Sequence, residues 1–187
     1  GLVWQSTDVS SQVQAAIVEL QRAGDYTRQR SAADRLATFG PAAAPAVPAL
    51  IGVLRQPFAR VGGDVMSPAP GYQEAIDAAK LAVLKIGPVA IPALIDGLRA
   101  PAGAVHLVEV LGQMDDPRII PPLVAALGGP ASQAAQAMLV TTTVPGAADA
   151  VAARRDDPSE HVRRGVMETL VGRRDLRALP LVEQLLA

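Results

Sequence analysis

No cysteine occurs in these 187 residues, so disulfides, thiolate metal sites and cysteine nucleophiles are all excluded. The compartment is left open by that absence. Aromatic residues make up only 3% of the chain, and Trp4 is its single tryptophan. A hydrophobic core must therefore come from Ala, Leu, Val and Ile, within a sequence that is 50% hydrophobic. Such small aliphatic residues suit close helix-on-helix packing. Lysine is confined to Lys80 and Lys85, and charged residues reach 19%, below the usual quarter or so. The formal net charge of −1 offers no positive surplus to draw nucleic acid or an anionic membrane. Two stretches, 36–54 and 119–148, carry no charge and are long enough to span a bilayer. Pro41, Pro45 and Pro48 interrupt the first; Gly128, Gly129, Gln133, Gln136 and three threonines interrupt the second. Neither reads as a membrane span. The chain opens on Gly1 without a leader pattern, so it is expected to be cut from something longer or to begin on an appended residue.

Proline, by contrast, is abundant and regularly placed. The phrases VPALIGVLR (47–55), IPALIDGLR (91–99), IPPLVAALG (120–128) and LPLVEQLLA (179–187) share Pro48, Pro92, Pro121 and Pro180. Their spacings are 44, 29 and 59 residues. The last is about twice the middle one, so residues 131–157 should hold a weaker copy without the proline. The first is one period plus an insertion of about 15 residues. Upstream of each proline lies an amphipathic segment and then a turn. Tyr26–Phe39 precedes Gly40-Pro41, Gln73–Ile86 precedes Gly87-Pro88, Ala104–Met114 precedes Asp115-Asp116-Pro117, and Ser159–Gly172 precedes Arg173-Arg174-Asp175.

Proline inside a helix costs about 3 kcal/mol or more, yet in the first turn its missing N–H is unpaired anyway. The prolines therefore mark helix starts, and glycine just past a helix end supplies the left-handed turn. In the first copy the helix proper is expected over about Ala49–Arg55. Ile76, Ala79, Val83 and Ile86 fall on one helical face, as do Val162, Val166 and Leu170, and Val13, Ile17 and Leu20. No segment alternates for long, so no sheet is expected, and the β-prone LVTTTV (139–144) should end a helix.

The Gly-Pro turns, the Pro-Ala-Leu-Ile phrase, the run DDPRIIPPLVAAL (115–127) and DDPSEHVRRGVMETLVGRRD (156–175) resemble HEAT repeats of the short prokaryotic, phycobilin-lyase-like kind. The resemblance covers nearly the whole chain. It implies an all-α, right-handed α-α superhelix of about five hairpins, about eleven helices in all, with second helices lining a concave surface. The expected organisation is a single domain. A cap helix occupies 1–25, repeats occupy 26–55, 73–100, 102–128, 131–155 and 158–187, and an inter-repeat loop occupies 56–72. Fold alone does not give function.

Catalytic groups are hard to find. His106 and Glu109 sit one turn apart, but a metal site wants three or four ligands. His161 reads as a solvated first-turn residue. No Gly-x-Ser-x-Gly elbow or phosphate-cradling loop occurs, and VGGDV (61–65) lacks the Lys-Ser/Thr ending. Asp115-Asp116 and Asp156-Asp157 each precede a proline and a helix, where helix capping explains them. The chain is read as non-enzymatic, with no cofactor or metal. Seven arginines between Arg154 and Arg177 are interspersed with five carboxylates, leaving a surplus of two. A HEAT-like nucleic-acid-binding protein is thus one alternative, though a salt-bridged solvated face explains the arginines better. A bilin lyase or chaperone-like module is the other alternative, and the poverty of aromatics speaks against it.

Two features go beyond a bare scaffold. The Gly- and Pro-rich loop 56–72 carries Phe58, Arg60, Met66 and Tyr72, a concentration of apolar and aromatic groups suited to anchoring a partner or to capping the core. The uncharged run 119–148 offers Gln133 and Gln136 as its polar surface, compatible with a protein contact. With Arg99, these form the candidate contact set for a protein or peptide partner.

Overall fold

A computed structural model describes residues 2–57, 60–61 and 67–186. The chain divides into two compact units, Gly1–Leu107 and Val108–Ala187, and each is taken by itself. Helices dominate both, as the periodicity requires.

The first unit opens with α1 (Leu2–Leu20), whose buried stripe is Val13, Ala16 and Leu20. This helix packs on α2 (Tyr26–Phe39) and α3 (Val47–Leu54). Asp25 caps α2 by accepting the Arg28 N–H at 3.2 Å. Buried Gln29 donates through Nε2 to the carbonyls of Leu20 (3.0 Å) and Arg22 (3.1 Å), satisfying acceptors that the end of α1 leaves open. Then come α4 (Tyr72–Ile86), packed on α2 and α3, and α5 (Ile91–Gly97), packed on α3. Helix α6 (Ala104–Gly112) begins in this unit and ends in the second. Gly103, at φ 71°, brings the turn before α6 against the end of α3. A Cβ there would lie 2.5 Å from the Leu54 carbonyl oxygen, so no other residue fits without backbone movement.

The second unit continues with α7 (Ile120–Ala126), α8 (Ser132–Thr141), α9 (Ala147–Ala152), α10 (Glu160–Gly172) and α11 (Leu179–Leu186). Helix α7 packs on α8 and α9, and α10 packs on both of those. The slot at 131–157 thus holds a helical pair, α8 and α9. As expected, LVTTTV closes α8, which stops at Thr141. A Cβ on Gly112 would overlap Met138, so glycine lets α6 approach α8 closely.

Each core is aliphatic. Leu36, Leu50, Leu54, Leu94 and Leu107 are fully buried in the first unit, and Leu111, Ile119 and Leu123 in the second. Each such side chain contributes about 1.5–3 kcal/mol by leaving water. Buried alanines, among them Ala32, Ala33, Ala79 and Ala135, let the helix axes come near.

The turns within the hairpins use two chemistries. In the first unit Gly40 (φ 54°) and Gly87 (φ 85°) break the helix, and proline follows. In the second unit the α8–α9 turn keeps a left-handed glycine, Gly146 (φ 84°), while in the other two hairpins an Asp-x-Arg triplet takes its place. Asp116 accepts the backbone N–H of Arg118 at 2.9 Å, and the Arg118 guanidinium folds back on the carboxylate at 2.9 and 2.7 Å. Asp175 and Arg177 repeat the arrangement, with a backbone contact of 3.0 Å and guanidinium contacts of 2.9 and 2.6 Å.

Two details differ from the sequence-based expectation, the start of α3 and a short ladder, while the prolines fall in the first helical turn as expected. Helix α3 begins at Val47 rather than Ala49, after a 3-10 run over Gly40–Ala46 that contains Pro45. Pro48, Pro92, Pro121 and Pro180 each occupy the second position of their helix. A short antiparallel ladder, Arg60 with Pro68 and Val61 with Ser67, sits in the inter-repeat loop where no sheet was expected. The loop's two arms simply run close enough to pair. Among the described residues one helical run, Tyr26–Leu54, is long and apolar enough to cross a membrane, but Gly40 (φ 54°, ψ −133°) divides it.

Candidate interaction surface

Charge is distributed unequally between the two helices of a hairpin. Helices α3 (VPALIGVL) and α7 (IPPLVAA) contain no charged residue. Helix α5 has only Asp96 and α9 only Asp149. The first helices behave oppositely: α2 exposes Arg28, Arg30, Asp34 and Arg35, α4 exposes Glu74, Asp77 and Lys85, and α10 exposes Glu160, Arg164 and Glu168. In the first unit the open surface of α3 and α5 is Pro48, Gly52, Pro92 and Ile95 with one acid, Asp96; in the second unit that of α7 is Pro121 and Ala125. Small and rigid side chains leave the backbone approachable. A Cβ on Gly52 would meet nothing within 4 Å, which marks open space above α3. Two first helices are exceptions: α8 is uncharged, and α6 has only the half-buried Glu109.

The candidate contact residues scatter. Phe58 and Met66 lie outside the described residues, and so does the side chain of Arg60. Tyr72 is 3% exposed, a correction to its reading as a loop-borne anchor. Its ring meets that of Tyr26 edge-on at 5.5 Å, and its hydroxyl donates to the Gln56 carbonyl at 3.2 Å. Burial, with Tyr26 adding to it, raises the Tyr72 pKa. The physical reason is position: Tyr72 starts α4 and pins the base of the loop to α2. Arg99 is exposed and pairs with Asp96 at 3.1 Å. Gln133 is exposed on α8, while half-buried Gln136 donates to the Ser132 hydroxyl at 3.4 Å. These two share helix α8.

The arginine-rich C-terminal segment is largely committed to internal partners. Arg154 pairs with Asp157 at 2.5 Å, Arg155 with Asp156 at 3.2 Å, and Arg177 with Asp149 at 2.8 Å and Asp175 at 2.6 Å. Arg164 lies 3.9 Å from Glu160. Arg163 donates to the Asp157 and Pro158 carbonyls at 2.8 and 3.0 Å. Arg173 clamps the end of α8, donating to the carbonyls of Leu139 (2.5 Å), Val140 (3.4 Å) and Thr142 (3.1 Å). The Arg118 hydrogen bonds hold the Asp116 carboxyl at about 2, and those from Arg177 hold Asp175 at about 2. Asp157 is lowered too, first by Arg154 and then by the Ser159 N–H.

Three surface depressions are lined chiefly by polar and charged residues. Two on the first unit, of about 490 and 430 Å³, share Thr27, Ser31 and Arg35 as lining. A third, of about 320 Å³, lies on the second unit among Arg155, Asp156, Arg177, Pro180 and Leu181. None of the three is lined by an aromatic side chain. Among the described residues no three His, Asp or Glu side chains gather as a metal site.

The sequence reading expected a partner on the concave, second-helix surface or on the inter-repeat loop, but named none of Pro48, Gly52, Pro121 and Ala125 on that surface. It also missed the Arg173 clamp, which requires knowing that Arg173 lies beside the end of α8.

Helical hairpins packed on their neighbours, with proline-led second helices, are those of an α-helical repeat protein. Residues 105–129 match the family model of the PBS lyase HEAT-like repeat. That stretch is similar to a single HEAT-like repeat of this kind. A comparison with curated proteins returns no match.

Proposed function

We propose that the chain is a non-enzymatic interaction scaffold, and that the second-helix surface of each unit takes a protein or peptide partner. One observation carries this reading: charge is withdrawn from α3 and α7 and concentrated on α2, α4 and α10. Interface cores are depleted of charge, and a solvated face is not. Proline, glycine and alanine on that surface cost little side-chain entropy on binding. Many weak contacts along packed helices would supply the affinity.

Selection of peptides from a displayed random library against the intact chain tests the reading. Gly52→Glu has open space around it, and Ala125 is exposed, so neither Gly52→Glu nor Ala125→Glu should disturb the fold. Either charge should weaken the selected peptides about 10-fold or more, on the order of 1.4 kcal/mol. Asp77→Lys, on the exposed face of α4, should leave them unchanged. Peptides that respond to Asp77→Lys and ignore both second-helix variants would place the binding surface elsewhere.

A further inference from the structure

VPALIGVLR (47–55) and IPALIDGLR (91–99) lie in the same unit and align without a gap. Arg55 and Arg99 hold equivalent places in them, at the ends of α3 and α5. Arg99 pairs with Asp96, three residues before it, at 3.1 Å. The residue aligned with Asp96 is Gly52, so Arg55 lacks the carboxylate that its counterpart has. Its Nε is buried without an acceptor, and among the described residues its guanidinium makes no ion pair or hydrogen bond. The other half-buried arginines among the described residues all have fixed partners: Arg154 donates to the Asp157 carboxylate, Arg163 and Arg173 to backbone carbonyls. A helix C-terminus favours a cation in any case. That holds equally for Arg99, which still keeps its carboxylate.

The Arg55 stem is already ordered. The turn at Gly103 packs on it so closely that a Cβ there would lie 2.6 Å from the Arg55 Cα and 3.0 Å from its Cγ. An ordered stem loses little side-chain entropy on binding. Pro48, Gly52 and Arg55 fall at i, i+4 and i+7, on one face of α3. Above Gly52 a Cβ would meet nothing within 4 Å, so the place that Asp96 fills in the next repeat is open in this one. Resting on the second-helix reading above, we propose that the α3 surface takes an acidic peptide segment. One Asp or Glu carboxylate of that segment lies over Gly52 and accepts from the Arg55 guanidinium, as Asp96 does from Arg99. A planar guanidinium can give a carboxylate two parallel hydrogen bonds. Because Arg55 is half-buried, the pair is less screened than the exposed one at Arg99.

Peptides selected from a displayed random library against the intact chain should be enriched in Asp and Glu, and selection against Arg55→Glu should enrich Lys and Arg instead. Arg55→Gln should weaken the acidic peptides about 10-fold or more, and so should replacing the peptide's acid by its amide. Made together, the two changes should cost no more than either alone. Gly52→Asp supplies the carboxylate from within the chain, so it should remove the acidic preference while helical circular dichroism stays unchanged. Arg99→Gln should leave the affinity within about twofold, since that arginine is exposed and already paired. Peptides that respond to Gly52→Glu, yet lack an acid and ignore Arg55→Gln, overturn this inference and leave the second-helix reading standing. A selection that yields no peptide overturns both. Asp64, in the inter-repeat loop, lies outside the described residues. Acidic peptides that bind only after Asp64→Asn would make that side chain the carboxylate for Arg55, which overturns the proposal as well.

Discussion

Asp116 and Arg118 show how a local pairing can stand in for glycine. In the first unit Gly40 and Gly87 turn the chain by adopting positive φ. In the second, Asp116 stays extended (φ −146°, ψ 128°) and holds the turn through the Arg118 N–H and guanidinium. The folded carboxyl, at about 2, lies below the ordinary value near ~3.9. Folding therefore favours the ionised form. The fork's contribution is complete above the ordinary carboxylate value and is lost as pH falls through about 2. Thermal melts between pH 5 and pH 2 should show this as a steeper acid decline in the native chain than in Arg118→Ala. Equal acid slopes would mean that the fork adds nothing. The pairing is exposed, so salt should flatten the difference.

At the scale of the helix, proline position is the controlling variable. Pro48, Pro92, Pro121 and Pro180 all hold the second place of a second helix. Helix α9 has Ala148 there and is the one second helix without proline. Ala148→Pro should therefore be tolerated and should raise stability by about 0.4–1 kcal/mol, by restricting the unfolded chain. Ala82→Pro, in the interior of α4, should cost about 3 kcal/mol or more. Urea denaturation of both variants checks the pair, and a destabilised Ala148→Pro would show that α9 does not start as its counterparts do.

At the scale of the molecule, the arginines decide between readings. Composition alone leaves a positive surplus near the C-terminus, enough to keep nucleic-acid binding in play. In the folded chain Arg154, Arg155 and Arg177 are ion-paired, and Arg163 and Arg173 are spent on backbone carbonyls. Duplex DNA should therefore fail to bind even at low salt, as a fluorescence-anisotropy titration would read. A steep salt-dependent affinity would reverse that assignment. Replacing Arg173 by Ala should destabilise the second unit by about 1–3 kcal/mol, because three carbonyls at the end of α8 lose their donor.

Most of the helix boundaries were legible in the residues, since glycine, proline and apolar spacing act over a few positions. Tyr26–Phe39 is helical over the residues read from sequence, and α4, α6 and α10 start or stop within two residues of expectation. Helix character is local, so the order of residues alone determined it. What a side chain faces is not local. Tyr72 reads as a loop residue until α2 brings Tyr26 to it, and Leu179 reads like Ile91 although it is 59% exposed and Ile91 is fully buried. Burial depends on which helix packs against which, and that only the tertiary structure decided.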